Sequence, residues 1–393
     1  MKILMIAPTP FFSHRGTHIR IYEEARALEK LGHEIVIVTY HNGDDIHKYI
    51  ETKIDVRRIR RWLFWYKKTE AGPDWQKVLL NIFLIRKTFY MIRTWKPDVV
   101  HGHLHEGALI GKMMRIIFFW RKFLLVSDFH GSLVNEMKSH GYLKISWLKS
   151  IFNFLERKIN SIGDVAVVSD KNNVKIIKNA RGDEKAFHVS DGVNVDYYKD
   201  LDDKKNLRKK FNIPVDKFVV VYTGALIENK GVKHLINSIK KTVKNLPDVY
   251  FVIGGFPAGW VRNYIAKNNL EKSVTVISPL NYFSLAEVNS LADVAVDPKD
   301  NSVQQASGKI LHYMVAKTAI ICCDRAINRN YLGDDGGVYL SEVNAENICQ
   351  SVKKLYNDRE LVKNYAENAF RRAEKFSWKK IGEQLEGIYK SNK

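Results

Sequence analysis

A chain of 393 residues, 45% of them hydrophobic and 27% charged, is too long for one hydrophobic core and too apolar for disorder, so it reads as a soluble enzyme of two domains. Its apolar runs, Val78 to Ile85 and Ile116 to Trp120, are broken by Arg86, Lys87, Arg121 and Lys122 and fall short of a spanning helix, and the first residues enter a strand directly, so no secretory leader is expected. The net charge of +20 calls for a partner or another explanation, and its sign allows nucleic acid, an anionic membrane surface or a phosphorylated substrate.

Strands and helices alternate from the start. Lys2 to Ala7 reads as a strand, Thr17 as the cap of a helix carrying Ile19, Tyr22, Ala25 and Leu28 at helical spacing, Gly32 as its stop, and Glu34 to Tyr40 as the next strand. Helical patterns at Trp75 to Trp95, Gly107 to Trp120 and Leu143 to Ile162 interleave with strands at Asp98 to His101, Phe123 to Asp128 and Asp164 to Ser169. This alternation predicts an α/β fold with a parallel sheet covered on both faces.

The polar segment Ser190 to Asn212 interrupts the series and predicts a domain boundary. A second series follows: strand Phe218 to Thr223, helix Gly231 to Asn245, strands Val249 to Ile253 and Val274 to Ile277, a helix through Leu285 to Leu291, and strand Asp293 to Val296. The expected domains are 1–190 and 191–375, with a closing helix in 376–393. Cys322 and Cys323 fall in a predicted buried strand and Cys349 on a helix, which provides neither a disulfide framework nor a metal knuckle and points to a reducing cytoplasm.

The basic charge has a local texture. Arg57, Arg58, Arg60 and Arg61 precede Trp62, Phe64 and Trp65, and a second cluster sets Phe118, Phe119 and Trp120 beside Arg115, Arg121 and Lys122. Cations next to large rings suit a lipid headgroup boundary, which makes Arg57, Arg58, Arg60, Arg61, Trp62 and Trp65 candidate membrane contacts and the inner face of the cell membrane the expected location. A basic surface with core aromatics is the alternative. No nucleic-acid motif accompanies the charge.

The stretch Gln304 to Asp324 reads as a turn, a short helix and a buried strand. Ser307 and Gly308 open the helix, so their backbone N–H groups face outward and Lys309 adds positive charge, an arrangement suited to a diphosphate. This segment resembles the donor-sugar signature of the retaining glycosyltransferases of family 4, with their double-Rossmann GT-B fold. In that family two glutamates frame the segment; here Gln304 and His312 occupy the two positions.

The resemblance covers nearly the whole chain through motifs in the right order. Ser13-His14-Arg15-Gly16 is similar to the family's glycine-rich loop over donor phosphate and acceptor. Phe129-His130-Gly131 resembles its His-Gly step, and Asp191-Gly192-Val193-Asn194 its Asn-Gly-Val-Asp turn with amide and acid exchanged. Gly224 to Gly231 matches the glycine, lysine and glycine of its phosphate loop, with Ala225 in place of a common arginine.

The resemblance implies a glycosyltransferase of two Rossmann-like domains facing a cleft. A nucleoside-diphosphate sugar would be co-substrate, with no cofactor or metal, and a saccharide or lipid-linked molecule the acceptor. Gly16, Gly224, Lys230, Gln304, Ser307, Gly308, Lys309 and His312 would bind the donor. Lys230 would stabilise the departing phosphate and His130 support the sugar ring, in polysaccharide or glycoconjugate synthesis. Two rivals remain. Replacement of both carboxylates is compatible with a catalytically silent partner subunit, and His101, His103 and His105, at period two, would share one face of a strand as a metallohydrolase site does.

Overall fold

The computed structural model describes residues 1–68, 74–134, 137, 146–300 and 307–393. It divides into two compact units, Met1–Asp191 together with Trp378–Lys393, and Gly192–Ser377.

The first unit is built on seven parallel strands, β1 Lys2–Ala7, β2 Glu34–Thr39, β3 Asp55–Arg58, β4 Val99–His103, β5 Leu124–Phe129, β6 Val165–Val168 and β7 Ala186–His188, in the order β3-β2-β1-β4-β5-β6-β7. Ile3 to Ala7 are buried without alternation, as a strand covered on both faces requires. Strand order reverses between β1 and β4, and ligands of open α/β sheets bind in the crevice at such a point.

One face of this sheet is covered by the helices Gln76–Trp95 and Leu104–Ile117, which place Leu80, Leu84, Ile110 and Met114 against Leu4, Ile6, Val36 and Val38. The helix Ser146–Asn160 lies beside Leu104–Ile117. Elsewhere, Gly16–Lys30 packs on the closing helix Trp378–Asn392, so tightly that a Cβ on Gly382 would lie 2.7 Å from the Ala27 Cβ. Thr17 is not the cap: the helix begins at Gly16 after Arg15, which makes no side-chain cap, and the nearby Ser13 hydroxyl lies 2.7 Å from His18 Nδ1.

The second unit repeats the winding with six parallel strands, β8 Phe218–Thr223, β9 Val249–Gly254, β10 Val274–Ile277, β11 Val294–Asp297, β12 Ala319–Cys323 and β13 Gly337–Leu340, in the order β10-β9-β8-β11-β12-β13. Its reversal lies between β8 and β11. The polar run before β8 contains a helix the sequence pattern missed, Lys204–Lys210, capped by Asp203. Arg208 of that helix is buried and donates to the Leu291 carbonyl at 2.9 Å and to Asp293 at 2.8 Å, so part of the charge run latches onto the sheet.

Candidate active site

In the second unit the chain leaves β8 through Gly224–Gly231 and β11 through Pro298–Lys299. Gly231 has φ +70°, and a Cβ there would lie 1.8 Å from the Pro298 carbonyl oxygen, so only glycine lets these loops meet. Lys230, Lys299, Lys309 and Arg325 gather here near Asp297. Lys309 Nζ lies 3.3 Å from Asp297 Oδ1 and 3.3 Å from the Tyr222 hydroxyl, over the Tyr222 ring. Burial disfavours its charge, but Tyr222 and Asp297 outweigh burial and hold its pKa above the ordinary lysine value.

Lys230 is in the opposite situation, its pKa lowered by burial and then by Lys309, with Asp297 a partial offset. Lys299, only 2% exposed, is brought down to about 7 by burial and by Lys230, against the pull of Asp297. Arg325 is buried beside it and lowers it further. Sequence reasoning missed Lys299, Arg325 and Asp297; the Asp-Pro-Lys step at the end of β11 was the available signal.

Ser307 precedes the helix Gly308–Val315 without a side-chain cap, leaving first-turn N–H groups that have no acceptor within the helix. His312 is buried in this helix, its Nδ1 3.1 Å from the Tyr198 hydroxyl and its ring edge-on to Tyr282. Burial lowers its pKa to about 4, so it is a neutral hydrogen-bonding group at physiological pH. Gln304 lies outside the described residues.

The first unit has its own polar cluster at the ends of β4 and β5. Asp128 Oδ2 lies 3.0 Å from His130 Nε2 and 3.1 Å from His103 Nδ1. Burial alone would raise the Asp128 pKa, but Arg20 and then His130 outweigh it and hold the carboxyl well below its usual range. Arg20, itself buried, also meets Glu24 at 2.9 Å and Asp191 at 3.0 Å. His130 Nδ1, on the far side of the ring from Asp128, has no hydrogen-bond partner among the described residues. His18 stands between Thr9 and Ser13, 2.6 and 2.7 Å away, its pKa brought to about 3 first by burial and then by Arg15. Arg20, His18 and Asp128 were not singled out from sequence. Gly16 is exposed at the helix start, with open space where a Cβ would be.

The three-histidine face does not form. His101 and His103 stack at 4.4 Å, but the strand ends at His103, Leu104 has φ +62°, and His105 sits in the following helix against Phe129. Glu24, His101, His103 and Asp128 do present ligand-type atoms within 4.8 Å of one another. The Arg20 guanidinium already supplies positive charge to both carboxylates, and the Tyr389 hydroxyl lies 2.6 Å from His101 Nδ1.

The proposed membrane arginines divide. Arg58 is not a free surface cation: its guanidinium donates to the carbonyls of Phe11, Asn42 and Asp44 and clamps those loops. Arg57 pairs with Asp55 at 2.7 Å. Arg60, Arg61, Trp62 and Trp65 are exposed, with Trp62 stacked on Phe83.

Comparison with known proteins places this geometry in a family. Residues 14–197 match the model of "Glycosyltransferase Family 4" and residues 203–372 that of "Glycosyl transferases group 1". A glycosyltransferase of Methanocaldococcus jannaschii is 23% identical over 98% of this chain and 97% of its own. Among solved structures, sucrose-phosphate synthase from Thermosynechococcus elongatus superposes with a TM-score of 0.78 at 15% identity, covering 99% of this chain and 98% of that one. Anabaena HepE in complex with UDP and glucose gives 0.75 at 15% identity over the whole of both chains. At that identity the structural likeness is one of fold.

Proposed function

The chain belongs to the group 1, family 4 type glycosyltransferases of GT-B architecture, and from that premise we propose that its second unit holds a nucleoside-diphosphate sugar for transfer to a saccharide or lipid-linked acceptor at the cytoplasmic membrane surface, with retention and without a metal. The observation that carries the reading is the buried excess of positive charge at the β8/β11 reversal. Lys230, Lys309 and Arg325 all act on the buried Lys299, which Asp297 only partly offsets, and cations buried close together favour an anion between them. The Anabaena protein, whose complex contains UDP and glucose, has the same fold.

On this reading Lys309 is fixed by Asp297 and Tyr222, while Lys230 and Lys299 stabilise the charge that grows on the leaving diphosphate. Ser307 and Gly308 offer backbone N–H groups, Gly224 keeps the loop close, and His312, with Gln304, takes the hydrogen bonds that carboxylates would accept from ribose and sugar hydroxyls. His130 supports the sugar ring through Nδ1. The acceptor belongs to polysaccharide or glycoconjugate assembly.

Thermal-shift titration with UDP, GDP, ADP and CDP sugars, followed by measurement of nucleoside diphosphate release, tests this. A ligand that binds only the folded state raises its stability with the logarithm of concentration over Kd. Stabilisation by one nucleotide series with release of its diphosphate is expected. Binding without hydrolysis or transfer from any sugar would support the silent-partner reading, and no binding would defeat both.

A further inference from the structure

We propose that the outward face of three adjacent helices in the first unit, Gln76–Trp95, Leu104–Ile117 and Ser146–Asn160, is a docking surface for an anionic lipid bilayer. The helix Leu104–Ile117 turns Ala108, Ile110, Gly111 and Met114 to the sheet, as a covering helix must. It then carries a second apolar stripe on its other side: Leu109, Met113, Ile116 and Ile117, at spacings of four, seven and eight, extended by Trp120. All are exposed, Trp120 by 63%. The neighbouring helix repeats the device with Trp147, Ile151, Phe154 and Leu155 at the same spacings, and Gln76–Trp95 adds Val78, Leu79 and Ile82. None of them belongs to the buried core clusters of this unit. Among the described residues of the second unit the exposed large hydrophobics are few, Val215, Ile227, Phe256, Trp260 and Phe370.

Charge selects the occupant. The three helices contain two acidic residues, Glu106 and Glu156. Glu156 accepts the Leu133 N–H at 2.8 Å and Glu106 is half-buried, so neither adds an exposed negative charge. The exposed charges are cations: Arg86, Arg93, Lys112, Lys149, Arg157 and Lys158. Lys158 lies over the Phe154 ring, a cation seated on the apolar stripe it flanks. Interfaces between proteins are depleted in lysine at their centres and mix both signs at the rim. Apolar stripes with large rings whose exposed charges, among the described residues of these helices, are cations match a bilayer interface with anionic headgroups. Trp62, stacked on Phe83 of the first of these helices, brings the 62–65 segment to the same region.

The proposal deepens the reading of a lipid-borne acceptor, but its test does not depend on transfer. Wild-type protein is mixed with vesicles of phosphatidylcholine alone or with 30% phosphatidylglycerol, and sedimented. Binding to the anionic vesicles only, lost as salt rises, is expected. Trp147→Ala/Phe154→Ala and Lys112→Glu/Lys158→Glu should each weaken binding at least tenfold while keeping the wild-type melting temperature and nucleotide binding. Should either variant fold poorly, brominated lipid reads the wild type directly: quenching of tryptophan fluorescence supports insertion. A wild type that stays in the supernatant at low salt, or one whose tryptophans are unquenched, overturns the proposal. So does a concentration-dependent dimer in ultracentrifugation that Trp147→Ala/Phe154→Ala dissolves, since the face would then join two copies. Nucleotide binding measured in parallel separates failure of this surface from failure of the transferase reading.

Discussion

The Lys309 ammonium lies 3.3 Å from the Asp297 carboxylate at the buried end of β11, and this pair separates two lysines that look alike in sequence. Lys309 balances a buried charge, whereas the lowered pKa of Lys230 marks a cation held at a cost. Lys309→Met should therefore destabilise the fold by about 3–5 kcal/mol in urea unfolding, the scale for breaking a buried pair. Lys230→Ala should leave unfolding nearly unchanged and raise the barrier to transfer by about 2–4 kcal/mol, measured as kcat/KM. A Lys230→Ala enzyme with wild-type turnover would remove Lys230 from the chemistry.

Lys299 gives the site a pH dependence. With a pKa of about 7 it is charged below that value and loses the charge as the pH rises through it. Affinity for a nucleoside-diphosphate sugar, whose esterified diphosphate does not titrate in this range, should fall as the pH rises from about 6 to about 8, and Lys299→Met should bind more weakly but with a flatter profile. Calorimetric titration across that range decides it.

His312 links stability to pH with the opposite slope. Its folded pKa is about 4, and an unfolded histidine takes its proton near 6.5. Between these values the unfolded chain binds the extra proton, so stability is full above 6.5 and falls with pH below it, by about 1.4 kcal/mol per unit. His312→Gln lacks this term, so its urea midpoint should change less than that of wild type between pH 6.5 and 4.5. Parallel curves would mean that His312 is already protonated in the folded state.

Two glycines should behave differently. Gly231→Ala meets the Pro298 carbonyl oxygen at 1.8 Å in a left-handed conformation and should lower the melting temperature and nucleotide affinity together. Gly16→Ala meets nothing within 4 Å at the first turn of a helix and should stabilise by up to about 1 kcal/mol. Lost turnover in that stable variant would show that substrate approaches the backbone there.

Asp128→Asn tests the orientation of His130. Turnover should fall about 100-fold, the low end of general acid–base effects, with affinity for the nucleoside diphosphate itself unchanged, since on the proposed reading its phosphates meet Lys230, Lys299 and Lys309. A variant with normal turnover would make the Asp128 cluster purely structural.

Strands β8 and β10 were read residue for residue, because runs such as Phe218–Thr223 declare a covered strand by composition alone. The frame around Lys309 and His312 was visible for the same reason, since a short apolar helix and a buried strand follow it. Partners were not visible. Arg58 resembles Arg60 in sequence, yet its guanidinium reaches carbonyls 14, 16 and 47 residues away. His105 lost its place on the strand to a positive φ at Leu104, which local periodicity does not encode. The Asp-Pro-Lys step hints at Lys299, but its burial beside Lys230 and Arg325 comes only from the fold.

The closing helix has a consequence for how the protein is made. His101 in the middle of β4 waits for the Tyr389 hydroxyl, and Asp98 for Lys393. A ribosome must therefore build all of Gly192–Ser377 before the first unit receives its last helix, a delay of roughly ten to forty seconds at about 5–20 residues per second. Through that interval the face of Gly16–Lys30 that packs against Gly382 has no partner from its own chain, and its apolar surface is covered only when the last helix arrives.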